Sequence, residues 1–336
     1  MRNVLVTGAI GFLGYHVVKL LNERGIKPRA LVPINTEKHV EALNALKQLN
    51  VEIHEGDVGD ISSLEAACSG CDTVLHLNFL IKLGSGAEVE EELERVNVTG
   101  TRMLLDVATK AGVERIVVSS SCLTIGLNRQ PHPLDEQADR EIYGSRIPYA
   151  LSRLRAEEDA RSRPGGAGLP TVVVVNPSFT MGPEDYVGAP ANKIVQKMAD
   201  GSFPLSFPVG FGVLDVRDYA DGVLRAAEKG VHGRRYLLSG ENVDSKLLMK
   251  KVTETIGVPM PRFVVPIFSW ILLPIIVILN LWSRVRGKPP AVSRRILDLW
   301  GSNAWYKTDL AQKEFGWTYR PLLRTIQDTL NTEPRR

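Results

Sequence analysis

The sequence predicts an α/β fold: a doubly wound parallel Rossmann sheet with a smaller, mostly helical C-terminal region. Three observations predict it. Short runs rich in Val, Ile and Leu alternate with amphipathic helical stretches from the first residues onward. Those runs are apolar at nearly every position, as strands buried on both faces of a parallel sheet are. A glycine-rich turn, TGAIGFLG, stands between the first run and the first helix.

The expected strands are NVLVTG from Asn3, PRALV from Pro28, VEIHEG from Val51, TVLHLN from Thr73, RIVVSSS from Arg115 and TVVVVNP from Thr171. Between the first two lies FLGYHVVKLLNERG, in which Leu13, Val17, Leu20 and Leu21 share one helix face. After Pro177 the chain turns rich in Pro and Gly; DVRDYADGVLRAAEKG then reads as a helix, RRYLLSG as a strand, and the remainder from Glu241 as mostly helical. Residues 1–177 and 212–240 are expected to form the Rossmann domain. Residues 178–211 and 241–336 are expected to form a substrate-binding lid over the C-terminal edge of the sheet.

Bulk properties narrow the partners. The 336 residues carry 41 Lys and Arg against 38 Asp and Glu, a balance that gives no reason to expect a nucleic-acid partner. Three cysteines are too few for a disulfide framework. Cys68 and Cys71 form a CxxC without a second pair, so they are expected as small buried side chains, and no metal site is expected. The chain runs from Met1 straight into strand-like sequence, and a cytoplasmic location is the expectation.

Gly8, Gly11 and Gly14 have the spacing GxxGxxG in the strand–turn–helix context that a dinucleotide requires. Glycines there serve a tight turn, close approach of the pyrophosphate, and close packing of helix on sheet. The helix N-terminus offers free amides and a partial positive charge to the phosphates. At the end of the second strand, where an acid would bind the ribose hydroxyls of NAD, stand Val32, Pro33, Ile34 and Asn35. NADP is therefore the expected cofactor, with NAD the alternative; Lys38 or Arg29 could approach its 2′-phosphate.

Three further features lie where cofactor chemistry would sit. Asp57 follows the third strand, Ser119-Ser120-Ser121 ends the fifth, and Tyr149 and Arg153 share a face of the helix that follows. A tyrosine can protonate a carbonyl oxygen as hydride arrives, given a nearby cation to lower its pKa from about 10, and a serine hydroxyl can hold the same oxygen.

Beyond these spacings, TGAIGFLG, GDVGD, the VLHL strand, NVTGT, GVERIVVSSS, NPSFTMGPED and LDVRDYADG occur in an order that resembles the extended short-chain dehydrogenase/reductase family, along nearly the whole chain. Among its branches the chain is most similar to dihydroflavonol-4-reductase-like and hopanoid-associated members of the epimerase/dehydratase superfamily, and more distantly to 3β-hydroxysteroid dehydrogenases. The resemblance implies Ser121, Tyr149 and Arg153 as catalytic residues. It implies pyrophosphate on the amides of Phe12 and Leu13, adenine beside Asp57 and Val58, and ribose and nicotinamide beside Leu77, Asn78 and Phe79. Pro177 and Ser178 would border the carboxamide, and Asn97, which opens NVTGT, joins the cofactor-binding set with Tyr149 and Arg153. Two departures stand out. Arg153 occupies the lysine position of the family's YxxxK, and Asn78-Phe79 replaces small residues. His76, in a buried strand, is expected as a hydrogen-bonded core residue.

From Phe263 to Trp282 no residue is charged, and Arg284, Arg286, Lys288, Arg294 and Arg295 follow. Pro266 and Pro274 argue against a straight spanning helix. The segment 263–295 is expected either to pack as a lid over a hydrophobic substrate or to touch a membrane surface peripherally. The functional expectation is an NAD(P)-dependent carbonyl reductase or alcohol dehydrogenase acting on a hydrophobic small molecule, in a homodimer. The alternatives are a nucleotide-sugar epimerase or dehydratase, and a non-catalytic dinucleotide-binding protein in which Arg153 has replaced the working lysine.

Overall fold

The computed structural model describes residues 1–34, 39–84, 86–201, 205–206, 208–260, 265–266, 269–286 and 299–331. Thirteen strands and thirteen α-helices lie among them. The first six strands are β1 (Val4–Thr7), β2 (Arg29–Val32), β3 (Glu52–Glu55), β4 (Thr73–His76), β5 (Arg115–Ser119) and β6 (Thr171–Pro177). They are followed by β7 (Phe179–Met181), β8 (Leu205–Ser206), β9 (Gly210–Asp215), β10 (Arg235–Leu238), β11 (Glu241–Asp244), β12 (Val265–Pro266) and β13 (Asn303–Ala304). The helices of the first half are α1 (Phe12–Glu23), α2 (Val40–Lys47), α3 (Ile61–Cys68), α4 (Ala87–Leu93), α5 (Gly100–Lys110), α6 (Arg140–Tyr143) and α7 (Pro148–Arg161). Those of the second half are α8 (Pro190–Ala199), α9 (Val216–Lys229), α10 (Ser245–Thr255), α11 (Ser269–Val285), α12 (Asp309–Phe315) and α13 (Leu322–Asn331).

The main sheet has seven strands in the order β10-β6-β5-β4-β1-β2-β3, and every neighbouring pair is parallel. Successive side chains of a strand face opposite ways, so an all-apolar strand feeds two cores. Val173 and Val175 of β6 join α1, α2, α9 and α12 on one face, whereas Val172 and Val174 join α3 and α5 on the other. This is the doubly wound arrangement expected from the Val-rich runs. Strand order reverses between β1 and β4, which opens a crevice at their C-terminal ends.

The segment after Pro177 is less helical than its composition suggests. β11, β9 and β13 form a second sheet, which β7 joins by pairing with β9. The region expected to be mostly helical from Glu241 carries α10 to α13 but begins with a strand, because Glu241–Asp244 finds an antiparallel partner in β9. The C-terminal segment returns to the Rossmann core: Trp317 is fully buried and its indole Nε1 donates to the Asp218 carbonyl at 2.9 Å.

Candidate functional site

One cavity of about 740 Å³ runs along the C-terminal ends of the strands, from the glycine turn past β4 and β5 to the segment after β6. Its first wall is the turn between β1 and α1. Gly8 has φ +71°, and a Cβ there would stand 2.8 Å from the Asn78 nitrogen; a Cβ on Gly14 would stand 2.1 Å from the Gly8 carbonyl oxygen. Only glycine lets turn, helix and β4 approach this closely. α1 carries no side-chain cap and no acid in its first turn, so the amides of Phe12, Leu13 and Gly14 remain for a ligand. These features fit a dinucleotide pyrophosphate.

At one end of the cavity lie Asp57, Val58 and His39, with Arg95 beside them. Asp57 Oδ1 accepts from Gly59 N at 2.7 Å, which fixes the carboxylate at the mouth. Arg29 is not at this end. It opens β2 at the opposite edge of the sheet, donating to Glu52 at 2.8 Å and to the carbonyls of Ala67 and Ser69 at 2.8 and 2.9 Å. The expected approach of Arg29 to a 2′-phosphate is therefore overturned. Asn35 and Lys38 lie outside the described residues.

At the other end, Leu77, Asn78, Phe79, Ser121, Tyr149, Pro177 and Ser178 line the same cavity. Pro148 at the first turn of α7 presets the helix start, and Tyr149 follows it into the site. Ser121 and Tyr149 both line this end of the cavity, and the Ser121 side chain acts on the phenol. Burial raises the Tyr149 pKa above its ordinary value, outweighing the lowering by Arg153 and by Ser121. The cation expected to activate this tyrosine is present, but desolvation wins, and the phenol is held protonated at neutral pH.

Arg153 is 1% exposed and does not line the cavity. Its guanidinium carbon lies 4.9 Å from the Phe79 ring centroid, a cation–π contact, and Phe79 stands on the cavity wall. Nε and Nη1 of Arg153 are buried without hydrogen-bond partners, and so is the Ser178 Oγ. Unpaired buried donors are costly, and they are spared that cost when a ligand supplies acceptors. Ser178 belongs to the cavity wall, whereas Arg153 reaches it only through its contact with Phe79.

Asn97 lies behind the wall. It is fully buried, its Oδ1 accepts from Leu80 N at 2.8 Å, and its Nδ2 donates to Leu80 O and Ser152 Oγ at 3.0 Å each. Asn97 thus clamps the loop segment at Leu80 to α7, and it sits in a π-helical turn, Glu94–Thr99, between α4 and α5. His76 bonds Thr7 Oγ1 through Nδ1 at 2.8 Å and Thr101 Oγ1 through Nε2 at 2.9 Å. Thr101 donates its own hydrogen to the Asn97 carbonyl, so it accepts from Nε2–H, and His76 is neutral and structural.

Glu157 is the residue that spacing alone did not single out. Fully buried one turn after Arg153, its Oε2 accepts from Ser120 Oγ at 2.7 Å, Thr124 Oγ1 at 2.7 Å and Asn176 Nδ2 at 2.8 Å. Oε1 meets Arg235 Nη1 at 3.2 Å. The carboxylate ties α7 to the ends of β5 and β6 and so fixes Tyr149 against Ser121. Cys68 and Cys71 lie in the core between β2 and α3, and burial pushes the Cys68 thiol up to about 12.

The model of the NAD dependent epimerase/dehydratase family matches residues 4–239. The chain belongs to that family. As a member of the extended short-chain dehydrogenase/reductases it is an NAD(P)-dependent oxidoreductase. It is 28% identical over 335 residues to a putative dihydroflavonol 4-reductase of Synechocystis sp., covering 97% of this chain and 93% of that protein. It is 33% identical over 262 residues to sterol demethylase protein B of Methylococcus capsulatus, covering 78% and 77% of the two chains. The solved structure of gox2253 superposes with a TM-score of 0.81 at 31% identity, covering 98% of this chain and 97% of that one.

Proposed function

We propose that this family member is a reductase that uses NADPH, or failing that NADH, to reduce a carbonyl group on a hydrophobic small molecule. The observation that carries the reading is the Ser121–Tyr149 pair, both residues lining one end of the cavity with Tyr149 held protonated. The dinucleotide supplies hydride. Ser121 and Tyr149 hold the carbonyl oxygen, and Tyr149 delivers the proton that converts it to a hydroxyl. A raised pKa suits this direction, because a protonated phenol is a donor and a poor base. Phe79, Ile81, Phe179, Val187 and Pro190 give the cavity an apolar lining, which favours a greasy substrate over a sugar nucleotide. Names of relatives such as dihydroflavonol 4-reductase and sterol demethylase protein B point to the same class of ring-bearing apolar substrate. The test is NADPH oxidation against a panel of flat apolar ketones, with Tyr149→Phe as control. Consumption by wild type that Tyr149→Phe abolishes, with dinucleotide binding retained, supports the reading; undiminished turnover overturns it.

A second reading has its own observation. Arg153 lies behind Phe79 rather than on the cavity wall, which suits a protein that binds the dinucleotide without turnover. Tight NADPH binding with no consumption on any substrate, unchanged by Arg153→Lys with Phe79→Ala, would favour it.

A further inference from the structure

Among the described side chains of α11, only one side of the helix is packed. Ile276 is 4% exposed, and Asn280 and Ser283, on the same side of the helix, are half-buried. The opposite side carries Ile278, Leu281, Trp282 and Val285, all more than half exposed, at the spacing i, i+3, i+4, i+7. Arg286 stacks its guanidinium 3.6 Å from the Trp282 ring centroid, at the end of the stripe. A soluble protein leaves a continuous ridge of this kind open only where something covers it.

The charge distribution says what covers it. From Thr255 to Leu297 the sequence contains no Asp or Glu, whereas Arg262, Arg284, Arg286, Lys288, Arg294 and Arg295 are all basic. The rest of the chain then carries 35 basic and 38 acidic residues, so the positive excess of the whole protein resides in this segment. An apolar ridge with tryptophan, flanked by cations and free of anions, matches the interface of an anionic bilayer: side chains enter the acyl boundary and basic groups meet the headgroups. A second copy of the chain is a poor match, since a two-fold contact through this ridge brings one basic segment against its equal. Nor does the helix cross. Its 17 residues, interrupted by Pro274, extend about 26 Å, and no helix among the described residues is long and apolar enough to span.

We propose that the Ile278–Leu281–Trp282–Val285 face of α11 is a monotopic docking surface for anionic lipid. It holds the protein flat on a membrane that can also deliver an apolar substrate. The surface does not depend on the catalytic assignment, and its test does not use turnover.

The test is flotation of the whole protein with vesicles of equal parts phosphatidylglycerol and phosphatidylcholine, and with phosphatidylcholine alone. Wild type is expected to float with the anionic vesicles, to release partly in high salt, and to show a blue shift of tryptophan emission on binding. The double variant Leu281→Glu/Val285→Glu is expected to lose at least about tenfold in vesicle partitioning, given the apolar area withdrawn. Its dinucleotide affinity should stay at the wild-type value, which shows that it is folded. Wild type remaining unbound to both vesicles, or the variant floating as well as wild type, overturns the proposal. So does light scattering that finds a wild-type dimer dissociated by the double variant without any vesicle binding, which would assign the ridge to a second copy.

Discussion

Arg153 and Phe79 form one unit: the guanidinium carbon lies 4.9 Å from the ring centroid, and the ring stands between the cation and the cavity. The two positions at which this chain departs from its family thus explain each other. A bulky planar cation suits stacking on an aromatic face, whereas a lysine's compact ammonium gains less from the same ring. Arg153→Lys alone is therefore expected to weaken NADPH binding, leaving an ammonium behind the ring without the stacking geometry. Phe79→Ala alone is expected to loosen the guanidinium and weaken binding as well. The double variant recovers the arrangement in which a small residue exposes a lysine to the ribose. Fluorescence titration of NADPH with the three variants should give a coupling energy of about 1 kcal/mol or more. Additive losses would mean that ring and cation act separately.

Tyr149 sets the pH dependence of the reaction. Burial raises its pKa while Arg153 and Ser121 pull it down, with a net rise above the ordinary value. The donor form then prevails throughout the neutral range, so carbonyl reduction should be level there and fall only in the alkaline range. Oxidation of the alcohol needs the phenolate and should rise with pH over the same alkaline range. Arg153→Met removes the lowering charge and should move both limbs to higher pH. Tyr149→Phe should reduce kcat by about 10²- to 10⁴-fold with the NADPH dissociation constant unchanged.

What the sequence could carry follows from the range of each interaction. The strands were legible because both faces of a parallel sheet demand the same apolar residues, and Val172–Val175 satisfy both at once. The glycine turn was legible because each glycine answers a steric need within its own loop, as Gly8 and Gly14 do. Arg29 misled because nearness in sequence to the end of β2 does not say which end of the sheet a side chain occupies. Glu157 was silent because its partners come from β5, β6 and β10, brought together only by the completed sheet. α11 reads as apolar all round, so only packing could say which side stays open.

Glu157 gives a prediction on stability. It is fully buried, and Arg235 beside it is 10% exposed at the side chain, so their charges are screened little by water. Glu157→Gln keeps the shape but removes the charge, and its single amide oxygen can serve Ser120, Thr124 and Asn176 only by turning its NH2 toward Arg235. The expected cost is about 3–5 kcal/mol in urea unfolding, typical of stranding one member of a buried pair. A loss below about 1 kcal/mol would show that the hydroxyl and amide network holds without the charge.

Two buried histidines make the fold sensitive to acid. Desolvation lowers the His76 pKa to about 3, with Arg153 adding to the effect, and lowers that of His16 to about 4 despite the Pro183 carbonyl that its ring meets at 2.9 Å. Both are neutral in the folded chain, whereas the unfolded chain takes up their protons near pH 6.5. Between that value and the folded pKa the unfolded state binds more protons, so stability falls as pH falls through this window. Asp218 acts the other way. Burial raises it to about 6 from 3.8, so over that interval the folded state holds the extra proton and gains stability as pH falls. Glu136, whose pKa burial also raises, opposes the histidines too, so between pH 6 and 4 the net loss should stay below about 1.4 kcal/mol per pH unit. Urea unfolding at pH 7, 6 and 5 measures the slope. His76→Asn should remove most of it, since one buried histidine contributes about 1.4 kcal/mol per pH unit, at the cost of a lower plateau; an unchanged slope would mean that His76 is already protonated within the fold.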